Sequence, residues 1–546
     1  MQNISPIRFF FARLIDSVPP AALIELSPGA SACTVGQPVR RSNRIFKAAV
    51  LFVLLAAFAA LYFQLFIFPK VPLLAQGDQA IYLLNGSRML HGQVIYRDFF
   101  HFTLPGTDST YYLLFKLFGV RAWIPNVMLA LLGTGLAGLS ISISRKLMSG
   151  LSVFLPATIF VAFPYHSVLD ATHHWYSTLG VMAALAITLE KRTAGRLAAA
   201  GALCGIATWF TQSMGPAVAL AFALFLFWEA RLNQESLRRV LRKEAALFAG
   251  FFALVIPFVA YFAAKAGIKR LLWCTVTFVL KYYPADWYNN WRVYMAHRPA
   301  IHGWPAAFEW TGWIFIQALV PLIYLAFFVG YRRSAGRRAS GGTDRLMLVA
   351  MVGLFSFLAV ASAPSYRRLC SVSLPAIILL VWYLSTPGGR KKACRIAMAA
   401  VSLCWIVVAS LLVQTRWHAS LDLPTGRTAF TSARVYNEYR WIAQRAGPRD
   451  MLFGQPLICF ALGLRDPTPL NYVDSTDYTR PEQVQSVVKS LDENRARYVI
   501  WYADLPLPDA RQPSGDHLNP LREYLRSHYR LAETFAAGDR IFERQR

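Results

Sequence analysis

Long apolar runs of about twenty residues recur along the first three-quarters of the chain, separated by short polar stretches. Each run is long enough to cross a bilayer of roughly 30 Å as a helix rising about 1.5 Å per residue. They fall near 45–68, 123–144, 151–169, 177–190, 196–212, 215–230, 245–264, 308–330, 345–362, 370–386 and 394–414. The pattern predicts a polytopic α-helical membrane protein of about eleven transmembrane helices. Residues 109–118 are also apolar, but about ten residues fit an interfacial helix better than a span. After residue 414 the pattern turns mixed and polar. Helices are predicted at 430–445, 481–494 and 521–528, and strands at 451–454, 497–503 and 529–535. The expected domains are an N-terminal tail over 1–44, a transmembrane body over 45–414 with an external loop at 69–122, and a C-terminal α/β extracytoplasmic domain over 415–546. No internal repeat of fixed period stands out.

Charge orients the spans. Lys and Arg number 56 against 29 Asp and Glu, giving a net +27. The excess sits between apolar runs, at Arg145-Lys146, Lys191-Arg192, 231–243, Arg332-Arg333, Arg337-Arg338 and 390–395. By the positive-inside rule these loops are cytoplasmic, with the tail and its Arg40-Arg41 flank on the same side. An odd number of spans then puts the C-terminal domain in the periplasm and the whole chain in the inner (plasma) membrane. Basic residues placed this way meet anionic headgroups, so nucleic acid is not an expected partner. The seven Cys show neither zinc-finger nor CxxC spacing, so neither a metal centre nor a disulfide framework is predicted.

Polar groups at membrane depth are costly unless they line a site, so the external loops carry the candidate chemistry. The longest, 76–119, holds Asp78 and Tyr82 at i,i+4 spacing, then Arg97, Asp98 and His101. Asp78 is either a helix N-cap or a base, and Gly92 ends the helix. Arg97 and Asp98 form either a local ion pair or a phosphate grip with a second acid. Asp108, ahead of an apolar helical run, is expected to cap it. His173 and His174 follow Asp170 at the next external turn. No third metal ligand stands at standard spacing, which leaves substrate lining or interfacial anchoring. Lys281 opens an aromatic stretch suited to sugar faces or to a headgroup belt. Arg367 and Arg368 break the charge trend by lying outside, which points to an anionic ligand. No Walker loop, GxSxG or HExxH motif is present, and Gly133 and Gly135 lie inside a span, where close helix packing is expected.

The loop resembles that of the GT-C superfamily of integral-membrane glycosyltransferases, in its family-39-like branch of protein O-mannosyltransferases and lipid A aminoarabinose transferases. The matching residues are Gly77-Asp78-Gln79-Ala80-Ile81-Tyr82 after the first span, then Gly92-Gln93-Val94-Ile95-Tyr96-Arg97-Asp98-Phe99-Phe100, then an apolar helix ending at Leu117-Phe118-Gly119. The resemblance implies a polyprenyl-phosphate-linked sugar donor and inverting transfer on the periplasmic side. The acceptor would be a lipid, glycan or protein, and Asp78 the base. Two departures stand out. Gln79 follows Asp78 where many relatives have a second acid, and Phe102-Thr103-Leu104-Pro105-Gly106 lacks the Lys before a Pro pair that binds phosphate. Arg97 or His101 would take that Lys's part. No cofactor is called for, and a divalent cation is left open. A transporter or flippase of lipid-linked saccharides is the alternative, but it should show repeat symmetry and midplane charges. A structural or signalling protein with a ligand-binding outer domain would leave the charged loop unexplained.

Overall fold

A computed structural model describes residues 39–296, 298–300, 302–333, 343–508 and 515–545. The N-terminal tail expected over 1–44 therefore lies largely outside the described residues. The helical body runs α1 (Val39–Leu65), α2 (Gln79–Leu90), α3 (Gly106–Phe118), α4 (Trp123–Ser144), α5 (His173–Thr188), α6 (Ala194–Phe210), α7 (Met214–Leu232), α8 (Leu237–Ala266), α9 (Ala306–Arg333), α10 (Thr343–Leu358), α11 (Leu374–Ser385) and α12 (Gly389–Thr415). Among the described residues six of these are long and apolar enough to cross a membrane, α1 (from Arg44), α4, α7, α8, α9 and α12. The chain is a membrane protein on that ground. Only 6% of the apolar window of α1 is buried against 56% for α4, so α1 lies at the rim and α4 near the middle. Between α4 and α5 the helix is broken into short pieces. Pro164 lacks the N–H that a regular turn needs, and Val161–Tyr165 widens into a π-turn there.

Small residues set the closest helix contacts. A Cβ on Gly201 would strike the backbone carbonyl of Leu247, and one on Gly250 the carbonyl of Ala198, so α6 and α8 touch backbone to backbone. A Cβ on Gly133 would come within 2.6 Å of both Leu61 and Tyr165. In an apolar solvent, where burial gives no preference for protein over lipid, such close approach supplies much of the dispersion that holds helices together.

After α1, β1 (Phe66–Ile67) pairs with β2 (Val71–Pro72), and the last 130 or so residues carry a hairpin of β3 (Ala419–Leu423) and β4 (Gly426–Phe430), and a four-stranded sheet of β5 (Leu452–Phe453), β6 (Tyr498–Trp501), β7 (Tyr529–Thr534) and β8 (Arg540–Arg544). The sheet order is β5-β6-β8-β7, with only β5 and β6 parallel. Helices α13 (Ala433–Ala443), α14 (Pro481–Glu493) and α15 (Asn519–His528) complete it. The core of this region is continuous with the loop. Ile95, Tyr96, Phe99 and Phe100 of the 69–122 loop share one buried cluster with Val484, Val499 and Trp501. Leu74 donates its N–H to the Ala429 carbonyl at 2.9 Å, Ala122 to Thr425 at 2.9 Å and Phe100 to Pro469 at 2.7 Å. The loop and the C-terminal region are thus sewn together by backbone hydrogen bonds.

Candidate active site

The site is built around the start of α2. The first free N–H groups of a helix need acceptors, and an Asp at the N-cap commonly supplies one from its own side chain. Here the N-cap is Asp78, yet its side chain makes no capping hydrogen bond. Asp170, ninety-two residues on, takes that work instead. Its Oδ2 accepts the Asp78 N–H and its Oδ1 the Gln79 N–H, both at 2.9 Å. Gln79 answers by accepting the Ala171 N–H at 3.0 Å, and Tyr111 donates to the Ala171 carbonyl at 3.0 Å. With the capping role filled from outside, the Asp78 carboxylate is exposed to solvent at the mouth of the site.

Asp170 is buried and carries Arg367 on its outer side, with Nη1 3.8 Å from Oδ2. Burial pushes the Asp170 carboxyl above its ordinary range and the charge of Asp78 pushes the same way, while Arg367 and the two N–H groups pull it down. The Arg367 side chain keeps 60% of its surface in solvent, so the guanidinium is anchored on one edge and open on the other. Gly77 makes the approach feasible. Its φ is +81°, and a Cβ there would overlap the Asp170 carboxylate and lie 3.3 Å from Arg367. Gly77→Ala is therefore expected to displace Asp170 and Arg367 together and to lower stability by about 1–2 kcal/mol. An unchanged melting temperature in Gly77→Ala would show that the approach is not needed.

Beneath Asp78 lies a layered set of aromatic and imidazole groups. Tyr82 Oη is 2.6 Å from His173 Nδ1, and the His101 ring meets Tyr82 edge-on at 5.4 Å. His101 Nε2 lies 2.5 Å from Thr103 Oγ1 and 3.5 Å from Asp108 Oδ2. Asp108 does not cap α3. Its Oδ1 accepts from Asn85 Nδ2 at 2.8 Å, and Asn85 Oδ1 accepts from Asn471 at 3.1 Å, so the helix-start carboxylate is turned inward by a partner on α2. Burial lowers the His101 imidazolium and raises the Asp108 carboxyl, each opposed by the other's charge, which favours neutral forms of both. The His174 ring is tilted against His173 with centres 3.9 Å apart, and its buried Nδ1 has no hydrogen-bond partner among the described residues.

The remaining predicted residues separate by contact. Arg368 spends its guanidinium on Tyr283 Oη at 2.7 Å, Asn289 Oδ1 at 2.8 Å and the carbonyls of Ala363 and Tyr288 at 3.0 and 3.3 Å. It pins the 282–293 turns to the body rather than offering a free cation. Lys281 is exposed, its ammonium 5.2 Å from the centre of the Tyr282 ring. Arg97 and Asp98 are locked on each other through two 2.8 Å bonds, and Asp98 also accepts the Val94 N–H at 2.7 Å. No contact among the described residues joins that pair to Asp78, Asp170 or Arg367. The local-pair alternative is the one the fold adopts, because the fork of Arg97 has its nearest carboxylate next to it in the chain.

Three participants were not singled out from the sequence. Asp170 was legible only as a carboxylate in a short turn between apolar runs, a setting that marks function or structural pairing. Asn85 carried no signal. Tyr472, stacked at 5.9 Å on Tyr478 and hydrogen-bonded to it at 2.8 Å, sits close enough to Asp78 to feel its charge. Among the described residues no group of three or more His, Cys, Asp or Glu is arranged to hold a metal ion.

No protein-family model matches the chain, and a search of curated proteins finds no match either. Solved structures do match. ArnT from Cupriavidus metallidurans, bound to undecaprenyl phosphate, superposes at a TM-score of 0.58 and 14% identity, over 91% of this chain and 98% of that one. The same protein in its apo state gives 0.57 and 13% over the same shares. The apo oligosaccharyltransferase of Archaeoglobus fulgidus gives 0.50 and 11%, over 91% of this chain and 74% of that one. Both proteins are GT-C superfamily members, and the fold of this chain is the GT-C fold.

Proposed function

We propose that this chain is a membrane glycosyltransferase that moves a sugar from a polyprenyl-phosphate carrier to an acceptor hydroxyl or amine, inverting the anomeric centre, with Asp78 as base. The observation that carries the proposal is the division of labour between two carboxylates. Asp170 is consumed in holding the start of α2, and this leaves Asp78 unbonded and exposed beside an open guanidinium. The bound undecaprenyl phosphate of the similar ArnT structure supports a lipid-phosphate donor.

The residues suit the reaction. The acceptor's nucleophilic atom bonds to the anomeric carbon as the bond from that carbon to the phosphate oxygen breaks. The electron pair leaves on polyprenyl phosphate, and the acceptor proton passes to the Asp78 carboxylate. Arg367 stabilises the departing phosphate with the donor edge that Asp170 does not use. Tyr82 and His173 hold the floor of the site, and Tyr283, oriented by Arg368, supplies an aromatic wall for the sugar. Asn471, Tyr472 and Tyr478 of the C-terminal region close the site from above. The body would sit in the inner membrane with its N-terminus cytoplasmic and the site and C-terminal region periplasmic.

The test is a transfer assay on the full chain in nanodiscs, offered polyprenyl-phosphate hexose or pentose donors with candidate lipid, glycan and peptide acceptors. Release of polyprenyl phosphate is the readout. Wild type is expected to turn over at least one donor. Arg367→Gln is expected to lower kcat by about tenfold to a hundredfold, the effect of removing one charge-assisted donor from a leaving group. Saturable donor binding without any turnover would favour the flippase alternative.

A further inference from the structure

We propose a second binding site at the end of the helix bundle remote from α2, where the groove between Lys146 and Arg196 takes the headgroup of an anionic phospholipid. The placement follows from the helices. α4 leaves the site side at Trp123 and reaches Ser144 after 22 residues, α5 starts at His173 in the site and ends at Thr188, and α6 returns from Ala194. The groove is formed where these three ends meet, at the end of α5 opposite His173. Its volume is about 370 Å³, and it opens to the outside between Lys146, Ile187, Gly195, Arg196 and Ala199.

Positive charge in this groove is in excess and is held in place. Lys146 Nζ donates to the Ala186 carbonyl at 2.8 Å, which uses one of its three donors. Arg196 donates to the Ile187 carbonyl at 3.2 Å and is otherwise exposed. Arg345 donates to the Lys146 carbonyl at 3.0 Å, bringing a third cation to the rim. The carboxylate in reach is Glu190, 3.8 Å from Lys146 and half-exposed. Burial lowers the Lys146 ammonium, and Arg145, Arg196 and Arg345 push it the same way against that one acid. Cations in such numbers exist together at little cost when an anion sits among them. A basic pocket between helix ends, lined also by apolar Ala186, Ile187 and Ala199, complements a phosphodiester headgroup with acyl chains attached.

The experiment measures retention of lipid by the full chain in detergent, by native mass spectrometry, with phosphatidylglycerol and phosphatidylcholine of the same chains. Phosphatidylglycerol is expected to bind more tightly. Lys146→Gln and Arg196→Gln should each weaken it about fivefold, the worth of one cation at a membrane surface, and Lys146→Arg should not. Glu190→Gln should tighten it by a similar factor, so the proposal can be tested even if a cation variant fails to fold. Arg238→Gln with Arg239→Gln, on the first turns of α8, is the control and should change nothing. Equal binding of both lipids, equal losses in the control, no gain in Glu190→Gln, or displacement by millimolar inorganic phosphate would each overturn the proposal.

Discussion

Asp78→Asn is expected to reduce sugar transfer by about 10²- to 10⁴-fold, the range for a lost general base, while the protein folds and binds donor as before. The second half of that statement rests on the structure. The Asp78 side chain is exposed and makes no capping bond, so an isosteric amide removes a base and disturbs no partner. Asp170→Asn should behave differently. It keeps one acceptor for the start of α2 but gives up the charge that holds Arg367, so kcat and donor KM should both suffer. Asp170→Ala should also orphan the N–H groups of Asp78 and Gln79, at about 1–2 kcal/mol. The check is the assay above with thermal melts alongside. Unchanged turnover in Asp78→Asn would remove that residue from the mechanism. Near-identical losses in kcat, KM and melting for all three variants would mean that both acids serve the fold.

Arg88→Met should cost about 3–5 kcal/mol of stability, because it strands a buried carboxylate. Arg88, in the last turn of α2, pairs at 2.8 Å with Asp466 of the C-terminal region, and their side chains are 4% and 1% exposed. Thr468 adds two hydrogen bonds to Asp466 at 2.9 Å. This pair fixes the 464–473 turn against α2, from which Asn471 and Tyr472 reach the site. Burial raises the Asp466 carboxyl to about 6 even with Arg88 pulling it down. Without Arg88 the folded value climbs further above the unfolded one near 3.9. The folded variant then binds the extra proton, so its deficit is full above the folded value and shrinks as pH falls through it. Arg88→Met with Asp466→Asn should recover most of the loss at neutral pH. Melting of each variant from pH 5 to 8, with hydrogen exchange over 79–90 and 464–473, is the measurement. A deficit that does not change with pH would mean that Asp466 stays charged without its partner.

The sequence by itself determined the membrane body, the six long apolar helices α1, α4, α7, α8, α9 and α12, and the loop in which the acids stand. Those features follow from local quantities. Twenty apolar residues must satisfy their backbone groups within one helix in lipid, and a Gly at 92 with φ +88° ends a helix whatever surrounds it. The family resemblance was local too, carried by the run from Gly77 to Tyr82. What only the tertiary structure decided was the role of each polar residue. Asp78 has the same sequence signature as an N-cap and as a base, and the choice was made by Asp170, which is distant in the chain but takes both N–H groups. Arg367 and Arg368 are adjacent and alike, yet one faces solvent over Asp170 and the other is consumed by Tyr283 and Asn289. Likewise nothing in the pattern after residue 414 says that its apolar residues bury against Tyr96 and Phe99. Hydrogen bonds and ion pairs are satisfied by whichever partner the fold brings within about 3 Å, and for these groups the partner is not a neighbour in sequence.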